Sequence, residues 1–280
     1  MTIKKQVSLV DVAEILGVHY MTAYRYVREG RLPATKVGRS WVVEGSDLRA
    51  FRQGQGQAVV PKGGGRKEAP WMDRMVTLLV QGDERGAMAL MEAVLRSGHD
   101  LYFLYLDVLA PAMVAIGERW RSGDLDVFVE HRATGIVTRL MARIGVRFAK
   151  RGVRKGTVII GSPEGELHIL ATAMLADLIQ LEGWKVDNLG ANVPADSFSS
   201  AVVGIPDVVA VCVATTMQET LQAASNTIAK IKEVTDNAVP CFIGGAAVTT
   251  EVDARLLGAD YWASDARQLI SMLSEYTARA

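Results

Sequence analysis

The spacing of hydrophobic residues changes along the chain and separates regions of different predicted secondary structure. Apolar side chains recur every fourth residue at Leu104, Val108, Ala112 and Ile116. Recurrence at three- and four-residue intervals places side chains along one face of a helix. No strand pattern interrupts residues 71–151, and this region is therefore predicted to form a four-helix bundle.

After residue 152 the pattern changes to short β-branched runs that alternate with helical segments. Runs of this kind occupy residues 157–160, 208–213 and 239–243. Five strand–helix units fit an α/β doubly wound (flavodoxin-like) domain over residues 152–280, built on a parallel sheet. In such folds, ligands bind outside the carboxyl ends of the strands.

The beginning of the chain shows short helices, a glycine turn and a hairpin. The predicted elements are a helix at residues 11–18 with a turn at Gly17, a second helix at residues 19–28, a hairpin at residues 31–43 turning at Gly38 and Arg39, and a third helix at residues 46–51. This order is typical of a winged helix-turn-helix domain. The fold class is therefore a multidomain protein.

A stretch rich in Gln and Gly, without a hydrophobic period, separates the first elements from the bundle and predicts a mobile linker. The predicted divisions are a winged helix-turn-helix domain at residues 1–52, a flexible linker at residues 53–70, the helical bundle at residues 71–151 and the α/β domain at residues 152–280.

Charge and cysteine content restrict the classes of partner and location. The chain carries 31 Lys and Arg and 31 Asp and Glu, but residues 1–52 hold an excess of basic side chains. The remainder of the chain must then be net acidic. This asymmetry indicates that only the basic head, residues 1–52, binds a polyanion. The 2 cysteines are too few for a disulfide framework. No apolar run reaches the ~18 residues of a membrane span, so the chain is expected to be cytoplasmic, with no membrane partner.

Residues 7–52 resemble the excisionase and MerR class of winged helix-turn-helix domains. The resemblance implies that the second helix enters the major groove of double-stranded DNA while the wing contacts the phosphate backbone. The side chains expected to contact DNA are Tyr24, Arg25, Arg28, Lys36 and Arg39. The alternative is a helical protein-interaction module with an ordinary solvated basic face.

A histidine follows the first strand of the α/β domain, and an acidic residue stands two positions before it. Glu166 can accept the second ring proton of His168, which fixes the tautomer and raises the basicity of the other nitrogen toward a metal. A lone histidine near a strand end is more often structural. Cobalt, however, suits a neutral imidazole.

This segment resembles the corrinoid-binding motif Asp/Glu-x-His-x-x-Gly of methionine-synthase-like domains, and the similarity extends over residues 155–280. It implies that His168 binds the cobalt of cobalamin from below, and that a glycine pair admits the nucleotide tail. The residues implied to contact the cofactor here are Ser162, Glu166, His168, Cys212, Thr215, Thr216, Gly244 and Gly245. Two departures, Ala171 in place of the motif glycine and Cys212 in place of serine, leave a degenerate domain as an alternative.

In the helical region, Trp120 is followed after nine residues by Glu130 and His131. A tryptophan at a helix end usually serves packing, but this spacing is the signature of the helical cap in CarH-like light-sensing cobalamin regulators. The resemblance implies that the three residues surround the adenosyl group of adenosylcobalamin. In that family a histidine typically follows the tryptophan and can bind cobalt after photolysis. Here Arg121 offers no lone pair, so the upper position is left to water or to His131.

These expectations combine into one function. The chain is predicted to be a cobalamin-dependent transcriptional regulator, a repressor that uses adenosylcobalamin to sense light or cofactor level. Binding to paired half-sites implies a homo-oligomer. No nucleophile–base constellation indicates turnover, so no enzymatic activity is expected. Two alternatives stay open: a corrinoid carrier protein for methyl transfer, and a regulator whose sensor domain is degenerate or repurposed.

Overall fold

The structure is a computed structural model of the chain. It describes residues 6–16, 23–24, 26–27, 32–37, 40–55, 70–148, 152 and 154–279. The chain divides into two compact units, residues 1–69 and residues 70–280. Among the described residues, no helix is both long enough and apolar enough to cross a membrane.

The first unit contains a small antiparallel sheet. Its elements are β1 (Gln6–Ser8), α1 (Leu9–Leu16), β2 (Thr35–Val37), β3 (Ser40–Glu44) and α2 (Gly45–Gln55). Strand β3 is central and pairs with both β1 and β2. The side chains of Val12, Ala23, Val43 and Leu48 are fully buried in one core. Ala23, which belongs to the second helix predicted from the sequence, therefore faces this core.

Several details of this unit extend or correct the sequence prediction. The sequence does not predict β1, because three residues are too few to show an alternating pattern. Helix α2 continues to Gln55, past residue 52, where the linker was expected to begin. Glycine within a helix costs only about 1 kcal/mol, which neighbouring residues can offset. Val37 pairs with Ser40 across the predicted hairpin, whose turn lies outside the described residues.

The first part of the second unit is helical. Its elements are α3 (Trp71–Gln81), α4 (Glu84–Arg96), a π-helix (Phe103–Leu109) that continues directly into α5 (Ala110–Arg121), and α6 (Val127–Gly145). The π-helix accounts for the strict four-residue spacing in this segment. A step of four residues overshoots the ~3.6-residue α-helical turn, and the wider π turn compensates. As a result Leu104, Val108, Ala112 and Ile116 are all fully buried.

The second part is an α/β domain with a five-stranded parallel sheet in the order β5-β4-β6-β7-β8. Its elements are β4 (Thr157–Pro163), α7 (Ile169–Leu181), β5 (Lys185–Val193), α8 (Ala195–Gly204), β6 (Val208–Ala214), a short 3-10 helix (Gln218–Thr220), α9 (Leu221–Thr235), β7 (Cys241–Gly244), α10 (Glu251–Leu256), β8 (Tyr261–Ala263) and α11 (Ala266–Arg279). Ile160 of β4 faces a core shared with α7 and α11, whereas Ile159 faces a core shared with α8 and α9. The doubly wound parallel sheet predicted from the sequence is therefore confirmed.

The helical region packs on the sheet face that carries α7, and one hydrophobic core continues through both. Helix α7 has one charged side chain, Asp177, whose Oδ2 accepts a hydrogen bond of 2.6 Å from the buried hydroxyl of Tyr105 in the π-helix. Burial raises the pKa of Asp177, and this hydrogen bond opposes the rise. Arg267 of α11 also pairs with Asp107 at 2.8 Å. The π-helix thus holds the helical region on the α/β domain.

Candidate functional site

The loop after β4 carries a carboxylate that is completely buried. Glu166 has no exposed surface, and a buried charge is tolerated only when it is paired and hydrogen-bonded. Its Oε2 accepts hydrogen bonds from the backbone N–H of Thr216 at 2.6 Å, the hydroxyl of Thr216 at 2.9 Å and the N–H of Met217 at 3.0 Å. The loop after β6 therefore supplies the donors that make this position possible.

The other oxygen of Glu166 faces His168, the residue immediately before α7. Oε1 lies 2.5 Å from Nδ1 of His168 and accepts from its backbone N–H at 3.3 Å. The hydroxyl of Thr216 is 2.9 Å from the same Nδ1. Because Nδ1 is engaged in this way, the lone pair available to a metal lies on Nε2, on a side chain that is 59% exposed.

The contact changes the proton affinity of both groups. Burial by itself raises the pKa of Glu166, but the hydrogen bonds from His168 and Thr216 outweigh it and lower this pKa to about 2. The hydrogen bond to Glu166 raises the pKa of His168, and burial opposes that rise. Glu166 is therefore ionised at neutral pH and makes His168 a more basic electron-pair donor.

The end of the helical region where α5 leads into α6 carries the other residues of the predicted site. Trp120, in the last turn of α5, is 44% exposed. Nδ1 of His131 lies 2.6 Å from Oε2 of Glu130. Beyond the hydrogen bond described above, the Glu130 carboxylate raises the pKa of His168 and the Arg121 guanidinium lowers it. The structure therefore brings this end of the helical region within electrostatic reach of His168.

The neighbours of His168 in the chain present apolar surface. Leu167 is 69% exposed and Ile169 is 41% exposed. Exposed large apolar side chains beside a polar group are typical of a surface that binds a partner or a ligand. Sequence reasoning missed these two residues, although their position on both sides of the histidine is the signal that would have found them.

Sequence reasoning also gave no site role to Asn192, which holds the loop that bears His168. Its Oδ1 accepts a hydrogen bond of 2.8 Å from the N–H of Gly165, and its own N–H donates to the carbonyl of Glu166 at 2.8 Å. Asn192 has a φ of 56°, a left-handed conformation that asparagine adopts more readily than most residues. The residue type at a strand end was the only sequence signal for this position.

A cavity of about 230 Å³ opens at the carboxyl ends of β6 and β7, between the sheet and the helical region. Three residues expected to contact a cofactor, Cys212, Gly244 and Gly245, line it. The glycines are also needed for close backbone packing. A Cβ at Gly244 would lie 2.7 Å from the carbonyl oxygen of Ala263, and one at Gly245 would collide with the backbone of Thr215. Ala171, the departure from the motif glycine, lies on the lining as well.

Two hydroxyls of the predicted site differ in their partners. Oγ1 of Thr215 lies 2.6 Å from Oγ1 of Thr220 in the protein interior. The buried Oγ of Ser162, at the end of β4, has no hydrogen-bond partner among the described residues. A buried hydroxyl without a partner costs about 1–3 kcal/mol. Of the two, Ser162 therefore has the hydroxyl that is left without a partner among the described residues.

The residues expected to contact DNA lie only partly within the described chain. Tyr24 is helical and half-buried, with its ring packed against the core of the first unit, so only part of its surface can reach a ligand. Lys36 lies in β2, one residue from the end of that strand. Arg25, Arg28 and Arg39 lie outside the described residues.

Comparison with protein-family models matches three parts of the chain to known types of domain. Residues 7–56 match a helix-turn-helix domain, residues 71–149 match a B12 binding domain, and residues 156–270 match a second, different B12 binding domain. The site described above lies within the two B12 binding matches. Together these matches support a cobalamin-binding helix-turn-helix protein, with a cobalamin or another corrinoid as its cofactor.

Particular relatives fall into two groups. The HTH-type transcriptional repressor CarH of Myxococcus xanthus is 27% identical over 63% of this chain, and the match spans only 58% of that relative's length. Trimethylamine corrinoid protein 1 of Methanosarcina acetivorans is 29% identical over 68% of this chain and 88% of its own length. The structure of the Methanosarcina barkeri monomethylamine corrinoid protein shares the fold, with a TM-score of 0.63 at 18% identity over 73% of this chain and 97% of that chain. These relatives are corrinoid proteins and a repressor, not enzymes, and with the helix-turn-helix match they confirm the prediction of a non-enzymatic protein.

Proposed function

We propose that the chain is a transcriptional repressor that binds adenosylcobalamin and uses it to sense light or cofactor level. The observation that carries the proposal is the exposed His168, held through Nδ1 by buried Glu166, in a chain that also matches a helix-turn-helix domain. A metal-binding imidazole and a DNA-binding class of domain in one chain favour a regulator over a carrier. The similarity to the repressor CarH favours the same function.

In this proposal His168 would hold the cobalt of the cofactor through Nε2. Glu166 orients the ring, while Thr216 and Met217 hold Glu166 in place. The cofactor supplies a weak cobalt–carbon bond to its upper group, and the protein supplies binding and orientation. The exposed side chains of Leu167 and Ile169 offer the macrocycle an apolar surface on both sides of the histidine.

The cavity at the strand ends suits the nucleotide tail of the cofactor. Gly244 and Gly245 carry no side chains that would close it. Ser162 does not line this cavity, and its buried hydroxyl, which lacks a partner within the described protein, is assigned to a polar atom of the cofactor outside the cavity. With His168 as the ligand that would hold cobalt, the base of the cofactor would need a separate place in the protein.

The helices α3 to α6 act as a four-helix cap over the upper face. Trp120 offers a partly exposed indole, which suits stacking on the adenine of an adenosyl group. Glu130 and His131, hydrogen-bonded to each other, would lie beside the same adenosyl group. The electrostatic influence of Glu130 and Arg121 on His168 supports this placement.

The head, a winged helix-turn-helix domain in this proposal, binds double-stranded DNA as part of a homo-oligomer. The second helix, with Tyr24, Arg25 and Arg28, enters the major groove. The β2–β3 hairpin, with Lys36 and Arg39, contacts phosphates. A change at the cap that alters the assembly would release the DNA.

A corrinoid carrier for methyl transfer is the second candidate. It is favoured by the alignment with Trimethylamine corrinoid protein 1, which spans 88% of that protein. A carrier needs no DNA-binding head, however, and residues 7–56 match one. DNA affinity of the full chain therefore separates the two candidates.

Absorbance and DNA retention of the full-length protein test the proposal together. Adenosylcobalamin is added in the dark, free cofactor is removed, and the spectrum and DNA affinity are recorded before and after illumination. We expect bound cofactor in the dark and a changed spectrum with altered DNA affinity after light. Bound cofactor without DNA affinity in either state would favour the carrier, and failure to retain cofactor would indicate a degenerate or repurposed sensor. DNA affinity that responds to cofactor but not to light would leave a cofactor-level sensor.

A further inference from the structure

The cavity at the ends of β6 and β7 has apolar walls. Cys212 and Phe242 bound it on the sheet side, Met174 of α7 and Leu269 of α11 bound it on the helix side, and all four are buried. Leu106 of the π-helix closes it from the helical region. The side chains around an occupant of this space are therefore hydrocarbon and sulfur, while Gly244 and Gly245 contribute backbone.

The charged and hydroxyl side chains of the lining lie at the mouth of the cavity. Ser264 and Asp265 are exposed, and both are engaged with Gln268 at the start of α11: the N–H of Ser264 donates to Gln268 Oε1 at 2.7 Å, and Asp265 Oδ1 accepts from the N–H of Gln268 at 2.9 Å. Deeper inside, side-chain hydrogen-bonding capacity among the described lining residues is limited to the Cys212 thiol and the Met174 thioether. Both are weak partners.

The cavity has room for a bicyclic aromatic ring. Its volume is about 230 Å³, and an apolar cavity of about 150 Å³ already holds a benzene molecule. The lower bases of natural corrinoids include benzimidazoles and purines, which are bicyclic and similar in size, and phenols, which are smaller. Size alone therefore does not distinguish a benzimidazole from a purine in this space.

We infer that this cavity selects among corrinoids by the polarity of the lower base, accepting a benzimidazole or a phenol and disfavouring a purine. The inference rests on the proposed function, because it requires a corrinoid whose base has left cobalt to His168. An adenine base carries an amino group and ring nitrogens that lose hydrogen bonds to water when the base enters the cavity. The side chains of the cavity wall offer few hydrogen bonds to replace them. Apolar pockets reject a polar analogue of similar shape by up to about 100-fold.

Cys212 is the position where this selectivity can be changed with little change in volume. Serine in place of the thiol adds a strong donor and acceptor to the wall, so Cys212→Ser offers the purine a partner that the wild-type protein lacks. Cys212→Ala removes the thiol and adds no polar group, which makes it the matched control.

The test compares three adenosylated corrinoids that differ only in the lower base: dimethylbenzimidazole, adenine and para-cresol. Dissociation constants are measured in the dark with the full-length protein by equilibrium dialysis. We expect the adenine form to bind about 10- to 100-fold more weakly than the dimethylbenzimidazole form, and the cresol form to bind much more tightly than the adenine form. Cys212→Ser should narrow the gap between adenine and benzimidazole severalfold, whereas Cys212→Ala should keep it.

The outcomes separate the inference from the function on which it rests. Equal binding of the adenine and benzimidazole forms would overturn the inference and leave cobalamin binding intact. Weak binding of both the adenine and the cresol forms would show that shape, not polarity, decides, and would overturn it as well. Failure of all three to bind would instead reject the proposed function. Should Cys212→Ser unfold, as thermal denaturation would show, the comparison of the three corrinoids on the wild-type protein still decides.

Discussion

Glu166 carries its charge where no water reaches it, and its stability there depends on donors from two separate loops. Thr216 and Met217, which follow β6, bind one oxygen, and His168 binds the other. The rotamer and tautomer of His168 are therefore controlled by residues about fifty positions further along the chain. At the scale of single residues, the site is a histidine whose orientation is set by hydrogen bonds from the loops that follow two strands of the sheet.

Replacing His168 tests the lower ligand directly. His168→Ala removes Nε2, so adenosylcobalamin should bind more weakly or show the absorbance of a histidine-off form. His131→Ala is the matched control, since it removes a histidine from the opposite side and should keep the histidine-on spectrum in the dark. The same spectrum and affinity in His168→Ala as in the wild type would remove this residue from the site.

Replacing Glu166 by glutamine keeps its shape and removes its charge. The amide leaves at least one buried donor unsatisfied, so the free energy of unfolding at neutral pH should fall by about 1–3 kcal/mol. The pKa of Glu166 is lowered from 4.5 to about 2 in the folded protein. Its stabilisation is therefore complete above pH 4.5 and is lost as the pH falls toward 2.

Urea unfolding of the cofactor-free proteins at about pH 7 and about pH 3.5 measures this effect. The stability difference between wild type and Glu166→Gln should shrink at the lower pH. Glu164→Gln, in an exposed residue of the same loop, serves as the control and should change stability little at either pH. A difference that does not depend on pH would contradict the role assigned to the Glu166 charge.

At the scale of secondary-structure elements, the π-helix joins the helical region to the α/β domain. Tyr105 lies fully buried in it and donates to Asp177 at 2.6 Å, while Tyr102, just before it, donates to Glu182 at 3.1 Å from a half-buried position. Leu106, the residue after Tyr105 in the π-helix, borders the cavity. The π-helix therefore forms part of the interface with the α/β domain and part of the cavity wall.

Tyr105→Phe should lower the free energy of unfolding by about 1–3 kcal/mol, because the half-buried carboxyl of Asp177 loses its donor. The same change at Tyr102 should cost less, since water can replace the lost hydrogen bond of Glu182. Urea denaturation of both variants measures the contrast. Equal losses at the two positions would argue against a special role for the buried pair.

The second helix and the wing expected in residues 1–52 should make two kinds of contact with DNA. Arg39→Ala, in the wing predicted from the sequence, should weaken binding about equally on all sequences and lower the slope of log affinity against log salt by ~1. Arg25→Ala, in the second helix predicted from the sequence, should also weaken binding. Affinity measured over a salt series separates the two. Residues 70–280, which form a compact unit of their own, should lack this affinity; equal binding by that fragment would place the DNA site elsewhere.

At the scale of the whole molecule, residues 1–69 and residues 70–280 form different compact units. In the proposed function, a signal from the cofactor would therefore pass through the assembly or the chain that links them. The identity of residue 121 affects how stable the illuminated state of the protein is expected to be. A guanidinium stays protonated and offers no lone pair to cobalt. The light state should therefore depend on loss of the adenosyl group beside Trp120, not on a new bond from residue 121.

Arg121→His supplies the missing ligand. Illuminated Arg121→His should show the spectrum of cobalt with two histidines and should revert more slowly when fresh adenosylcobalamin is added in the dark. The wild-type protein should revert faster under the same conditions. A two-histidine spectrum in illuminated His131→Ala, which keeps Arg121, would defeat this account.

The sequence by itself determined the doubly wound sheet and the central motif. Alternating β-branched and helical segments identified the doubly wound sheet, because side-chain periodicity is a local property of each segment. Glu166 and His168 were identified from their spacing and from the resemblance of their segment to the corrinoid-binding motif. Two residues separated by one position at a strand end are held together by the chain itself. The observed contact between Nδ1 and Oε1 is the one expected from that spacing.

Only the tertiary structure decided what surrounds this motif. The donors to Glu166 come from Thr216 and Met217, and the cavity wall combines the π-helix, α7, α11 and three strands. Such contacts join residues that are far apart in sequence, and no local pattern predicts which of these residues will be in contact. For the same reason the unpaired hydroxyl of Ser162 and the apolar lining of the cavity became visible only once the sheet and helices had packed.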